Sequence, residues 1–385
     1  MKSSFTALVI FAALLTLFGA PAALSASDHA DPALPAEFDP SLVKEPNITG
    51  LFVFPKDDQL VLIYNVFRSL SSPAPYELDQ YEFVIYMDLH SKINYDDAQV
   101  NARYGGHVVH PEGISPDVTI TIGLDDQAQL ASKKVDGLQN AESIRWYAGV
   151  RDDPFIFTPF FGVNVVSMVM SIPLSSFPAG QQDWILWGVT RKKGKTEILD
   201  HIGRGLRTQL PRFGFINTLP PSQHVQAIDK EAHKSGDLRK FLMAYVAPAT
   251  NLFDDTFAIR YYDMEPDVCI YTSRYPVRYP NGRTLEDDIA QIACDFGDCI
   301  LKELAVGVGK IWPRPTVNDK PLPPDFPYLA EPWPDKAPAP AKKGPNPQLV
   351  IRLVLIGAVL LVLLNFYLLW RGWRCCRKLK EAGLA

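Results

Sequence analysis

The 385-residue chain has no excess of positive charge: 38 Lys and Arg stand against 43 Asp and Glu, a formal net charge of -5. A nucleic-acid partner would call for a basic field, so that class is disfavoured. The motifs that announce common chemistries are also missing. No Gly-x-Gly-x-x-Gly, P-loop, Gly-x-Ser-x-Gly or Cys-x-x-Cys-His occurs. Dinucleotide, nucleotide, nucleophile-elbow and covalent haem chemistry are therefore disfavoured. Cysteine is sparse, with five residues in two groups: Cys269, Cys294 and Cys299 in the body, Cys375 and Cys376 near the end. An oxidising compartment permits a disulfide. Cys294 and Cys299 are the nearest pair, but three buried free thiols are an equal alternative.

What is present divides the chain into segments. Residues 1–26 have the layout of an export signal: Lys2, an apolar run over 5–18, then small residues from Gly19 to Ala26. Cleavage after Ser25 and cleavage after Ala26 both fit. Proline is abundant, at 33 residues, and it clusters at 313–348. A stretch so rich in proline holds neither a helix nor a central strand, so an extended stalk with a reach of roughly 100 Å is predicted there. Residues 349–370 are apolar and predict a single transmembrane helix; 353–370 alone would span about 27 Å. Arg371, Arg374, Arg377, Lys378 and Lys380 follow in 371–385, which predicts a cytoplasmic C-terminus and a body on the periplasmic side.

The body, 27–312, is predicted to fold independently as a mainly β, antiparallel, sandwich-like exported domain with a few helices. Residues 60–67, 81–89, 163–172, 184–191 and 257–262 are rich in β-branched and aromatic residues. Val118, Ile120 and Ile122 alternate with Thr119 and Thr121, the period of a half-buried strand. A helix is predicted within 225–246. A second is expected from Thr284 as cap, with Glu286, Asp287 and Asp288 in its first turn and Ile289, Ile292, Ala293, Phe296 and Ile300 on its buried face.

Four stretches carry a resemblance: Ser27-Asp28-His29-Ala30-Asp31-Pro32; Asn47-Ile48-Thr49-Gly50 with the apolar run after it; Gly149-Val150-Arg151-Asp152-Asp153-Pro154-Phe155; and Tyr279-Pro280-Asn281-Gly282-Arg283-Thr284-Leu285-Glu286-Asp287-Asp288. Over roughly 27–305 the chain resembles the bacterial domain of unknown function 4331 family. The resemblance implies an exported, mostly β protein and no particular reaction. The first stretch departs from the family's Ser-His-Arg-Glu-Ala-Pro start, and the stalk and anchor lie outside the family core.

Several residue groups are candidates for chemistry. Arg151, Asp152 and Asp153 could form a polar cluster at a cleft; the structural reading, an Arg–Asp pair pinning a turn while Phe155 and Phe157 enter the core, is preferred. Adjacent residues of an extended chain point opposite ways, so the two carboxylates do not easily share an ion. Asp287 and Asp288 invite a calcium reading, but the alternating ligand spacing is missing. His107 and His110 are a His-x-x-His that fits a strand or loop better than a metal site. His201 has no partner evident in the sequence. Cleavage after Ala26 would expose Ser27-Asp28-His29. The Ser27 amine, the backbone of Asp28 and the His29 imidazole then offer a square-planar Cu(II) site. The function expected is a membrane-anchored binding or assembly module with a protein partner at the periplasmic face; the alternative is a periplasmic enzyme or copper-linked redox accessory.

Overall fold

The computed structural model describes residues 47–66, 74–157, 161–206, 214–234, 264–295, 314–334 and Tyr367. The N-terminal 1–46, including Ser27, Asp28 and His29, lies outside the described residues, as do 257–262 and, apart from Tyr367, 349–385. The chain divides into two compact units, Met1–Pro338 and Ala339–Ala385. In the first unit the order is β1 (Ile48–Lys56), β2 (Gln59–Val66), β3 (Tyr81–Asp88), β4 (Ile93–Asn94), α1 (Ala98–Tyr104), β5 (His107–Val108), β6 (Val118–Leu124), β7 (Leu130–Asp136), β8 (Arg145–Asp152), β9 (Asn164–Pro173), β10 (Asp183–Lys192), β11 (Asp200–Ile202), α2 (Pro221–Lys234), β12 (Cys269–Thr272) and α3 (Ile289–Asp295). Among the described residues every ladder between these strands is antiparallel. The domain is mainly β, as its apolar runs and alternation predict. Among the described residues no helix is long and apolar enough to cross a membrane.

Two sheets carry the unit. One is four-stranded in the order β1-β2-β9-β8; the other runs β11-β10-β3-β6-β7, with β12 beside β10. β11 and β12 share one edge of β10: β11 pairs with Gly188–Thr190 and β12 with Asp183–Leu186. Side chains from both sheets meet in one core, including Leu60, Leu62, Met168 and Met170 from the first and Phe83, Ile85, Ile120 and Leu186 from the second.

The strand sequences follow from this layering. In β6 Val118, Ile120, Ile122 and Leu124 are buried while Thr119, Thr121 and Gly123 are half-buried, the alternation its sequence shows. β2 and β9 are covered on both faces and are apolar almost throughout. The β1–β2 hairpin closes on Asp57-Asp58, with Asp57 at φ 54°, a left-handed conformation that aspartate tolerates.

The outer face of each sheet is also covered. Val84, Ile185, Trp187 and Val189 of the larger sheet pack with Val108, Ile114, Val268 and Ile270. Phe52, Val61, Ile63 and Val169 of the smaller sheet pack with Leu285 and Leu329, flanked by Leu322, Phe326 and Tyr328. The last four come from the proline-rich segment. The extended stalk predicted from 313 is therefore corrected: residues 314–334 are a strap lying on the body, and the folded unit includes them. Proline excludes regular ladders, but it does not stop an irregular chain from burying leucine and aromatic side chains. A fully buried leucine contributes roughly 2 kcal/mol.

Both helix expectations need adjustment. α2 starts at Pro221, earlier than the pattern over 225–246, with proline in its first turn. α3 starts at Ile289 rather than after Thr284. Asp287 accepts from the backbone N–H of Thr284 (2.7 Å) and Tyr279 (3.1 Å), holding the Tyr279–Thr284 turn. Asp288 is the residue that caps, accepting from the Gln291 N–H at 3.2 Å.

Candidate functional site

Two buried polar centres stand out; the sequence singles out Asp152 and His201, but not the partners that complete each centre. The first lies on the outer face of the larger sheet. β11 places His201 beside Val189 of β10, with Asp200 and Ile202 directed to the opposite face. His201 is fully buried, and its Nε2 lies 2.9 Å from the Asp267 carbonyl and 3.4 Å from the Asp267 carboxylate. The carbonyl can only accept, so the hydrogen sits on Nε2. Among the described residues, His201 Nδ1 is buried without a hydrogen-bond partner. His224, from α2, stacks edge-on against His201 with ring centroids 4.8 Å apart. His224 Nε2 donates to the Leu219 carbonyl (3.0 Å), and its Nδ1 accepts the Asp267 N–H (3.2 Å).

The Asp267 carboxylate accepts the backbone N–H groups of Gly203 (3.1 Å) and Arg204 (2.8 Å). A side chain at 203 is excluded: a Cβ there would come within 2.3 Å of the Asp267 carbonyl oxygen. The Arg204 guanidinium lies over the Tyr104 ring at 4.6 Å, and Arg283 lies over Phe52 at 3.9 Å. A histidine held by an acidic residue has the form of a general base. Here His201, His224 and Asp267 are all fully covered. Burial also pushes the Cys269 thiol up to about 12, so it is no nucleophile at neutral pH. The cluster works as a pin that joins β11, α2 and the approach to β12.

The second centre lies where β8 meets the strap. Asp152, at the end of β8, is 1% exposed. Its Oδ2 accepts from Asn318 Nδ2 at 2.9 Å, and its Oδ1 accepts from the Trp333 indole N–H. Its backbone N–H donates to the Ala330 carbonyl at 3.2 Å. Burial is the main reason its pKa rises from 3.8 to about 6; the bond from Asn318 works against the rise, and the charge on Asp319 adds to it. Asn164, the first residue of β9, clamps the backbone of Trp333 in both directions: its Oδ1 accepts the N–H (2.8 Å) and its Nδ2 donates to the carbonyl (2.9 Å). Lys320 sits over the Trp333 ring at 4.1 Å and donates to the Glu331 carbonyl. Arg151 pairs with Glu331, and Arg314 with Asp288.

The other sequence candidates are dispersed. The preferred Arg151–Asp pair is not what forms: Arg151 turns to Glu331 of the strap and lies over Tyr147. Asp153 accepts from the Phe155 N–H at 3.1 Å, so the two adjacent carboxylates serve different partners. Phe155 and Phe157 are buried, as expected. His107 lies in β5, half exposed and 2.7 Å from Glu265, while His110 is exposed and 3.4 Å from Glu112. Cys294 is disulfide-bonded and Cys269 is a free buried thiol. Among the described residues no group of three His, Cys, Asp or Glu side chains is arranged to hold a metal ion. An open groove along α2 is lined by Leu219, Gln223, Gln226, Ala227, Asp229 and Lys230. No protein-family model matches the chain, and no curated protein matches it.

Proposed function

We propose that the protein is an exported, membrane-anchored binding or assembly module whose body faces the periplasm. The observation that carries the binding role is the strap: part of the outer face of the smaller sheet and a buried carboxylate hold an irregular, turn-containing peptide segment. The anchoring rests on the sequence, on the leader-like 1–26, the apolar 349–370 and the basic residues from Arg371 to Lys380. The stretches around Arg151–Pro154 and Tyr279–Asp288 support kinship with the domain of unknown function 4331 family. Protease added to spheroplasts is expected to remove the body and to spare a C-terminal tag. Loss of the tag from intact spheroplasts would reverse the orientation.

A second reading, a copper-linked redox accessory or enzyme, rests on Ser27-Asp28-His29 alone. It requires a mature chain beginning at Ser27 and a Cu(II) absorption band that disappears in His29→Ala. A mature chain beginning elsewhere removes the site.

A further inference from the structure

α2 is joined to the larger sheet through His224, and the backbone around this residue fixes its protonation. His224 is fully buried. Its Nε2 meets the Leu219 carbonyl, which only accepts, and its Nδ1 meets the Asp267 N–H, which only donates. The docked ring is therefore neutral, with its hydrogen on Nε2. A second proton on Nδ1 would take the acceptor away from the Asp267 N–H. It would also set a charge beside the buried His201 ring, 4.8 Å away between centroids. Among the described residues the apolar anchorage of α2 is modest: Ile228 packs with Ile216, beside Phe215 and Ala227, in a cluster separate from the main core. Elements held by few buried apolar contacts open at lower free energy than the core of a fold.

The charged groups around His224 have partners of their own. The Asp267 carboxylate accepts from the Gly203 and Arg204 N–H groups and lies 3.4 Å from His201 Nε2. The Arg204 guanidinium lies over Tyr104. Glu265, on the approach to Asp267, lies 2.7 Å from His107. The Pro111–Gly113 turn, which packs against α2, carries Glu112, 3.4 Å from His110. On α2 itself Asp229 and Lys230 are exposed.

We propose that the His201–His224–Asp267 cluster is a proton-sensitive joint that docks α2 on the larger sheet at neutral pH and weakens that docking in acid. Docked His224 has no place for a second proton, whereas a released histidine takes one below about pH 6.5. Release therefore takes up protons and is favoured as pH falls, by up to about tenfold per pH unit for each histidine freed. Leu219, whose carbonyl holds His224, also lines the open groove along α2 with Gln223, Gln226 and Lys230, so the joint and the groove share a wall. The inference goes beyond the binding-module reading, and its failure leaves that reading intact.

The test uses the full chain in detergent micelles and hydrogen exchange by mass spectrometry, corrected for the intrinsic pH dependence of exchange. Between pH 7 and pH 5 the protection of α2 is expected to fall at least tenfold while β2 and β9 stay protected. His224→Asn keeps an acceptor toward the Asp267 N–H and cannot titrate, so its α2 protection should change less than threefold over the same range. In wild type carrying 15N-labelled histidine, the ring nitrogens of His224 should keep the neutral pattern until α2 loses protection and titrate together with that loss. This last measurement stands even where the variant fails to fold. Constant α2 protection in wild type would overturn the inference. So would loss of β2 and β9 in step with α2, a folded His224→Asn with the wild-type fall, or a His224 ring that titrates while α2 remains protected.

Discussion

Replacing Asp152 by asparagine is expected to make the protein more stable at neutral pH, although it alters a buried hydrogen-bonding group. Burial raises the Asp152 pKa from 3.8 to about 6. The folded protein therefore holds this proton more tightly than the unfolded chain does. The stabilising contribution is complete below the unfolded value and is lost as pH rises through the folded one. Two units correspond to roughly 3 kcal/mol. The expected gain from removing the buried charge is therefore on the order of 1–3 kcal/mol. Asparagine mimics the protonated acid: its carbonyl accepts the Trp333 indole N–H, and its NH2 donates to Asn318 once that amide turns to present Oδ1, which otherwise has no hydrogen-bond partner among the described residues. Arg151 is committed to Glu331, and that bond holds the Glu331 carboxyl below its ordinary value. Unfolding of the full chain in urea, followed by far-UV circular dichroism between about pH 4 and pH 8, provides the measurement. Wild type and variant should coincide at the acid end, and the variant should gain as pH rises through about 6. A variant that instead falls behind with rising pH would refute the reasoning. It would show that the two donated hydrogen bonds outweigh the cost of the buried charge.

Three further outcomes are expected. Asp267→Ala should cost about 4 kcal/mol in the same unfolding measurement, because the Gly203 and Arg204 N–H groups lose their buried acceptor, and Gly203→Ala should destabilise too by forcing a Cβ against the Asp267 carbonyl. A fragment ending at 334 should be soluble and β-rich, whereas one ending at 312 should aggregate by exposing Phe52, Val61, Ile63 and Val169; equal solubility of the two, by size-exclusion chromatography, would remove the strap from the folded unit. Peptide mapping without reduction should link Cys294 to Cys299, and iodoacetamide should modify Cys269 only after unfolding, since burial keeps that thiol protonated.

The sequence by itself determined the class of the body and the place of most of its central strands. β2, β3, β6, β9 and β10 lie close to the apolar runs and the alternation that predict them. That information is local, because a strand facing a core repeats every two residues and a strand covered on both sides is apolar throughout. The tertiary structure decided where the irregular segments go. Prolines show that 314–334 is neither helix nor central strand, but an aperiodic chain carries no sign of the surface it will meet. Only the fold brings Trp333 to Asp152 across 181 positions, and Asp267 to His201 across 66. It also turned Asp287 from an expected helix residue into the acceptor that holds a turn, since two N–H groups nearby needed a partner. Such centres are assembled from single residues on separate segments. Each is ordinary in its own stretch of sequence and acquires its role from burial and from partners that local patterns do not encode.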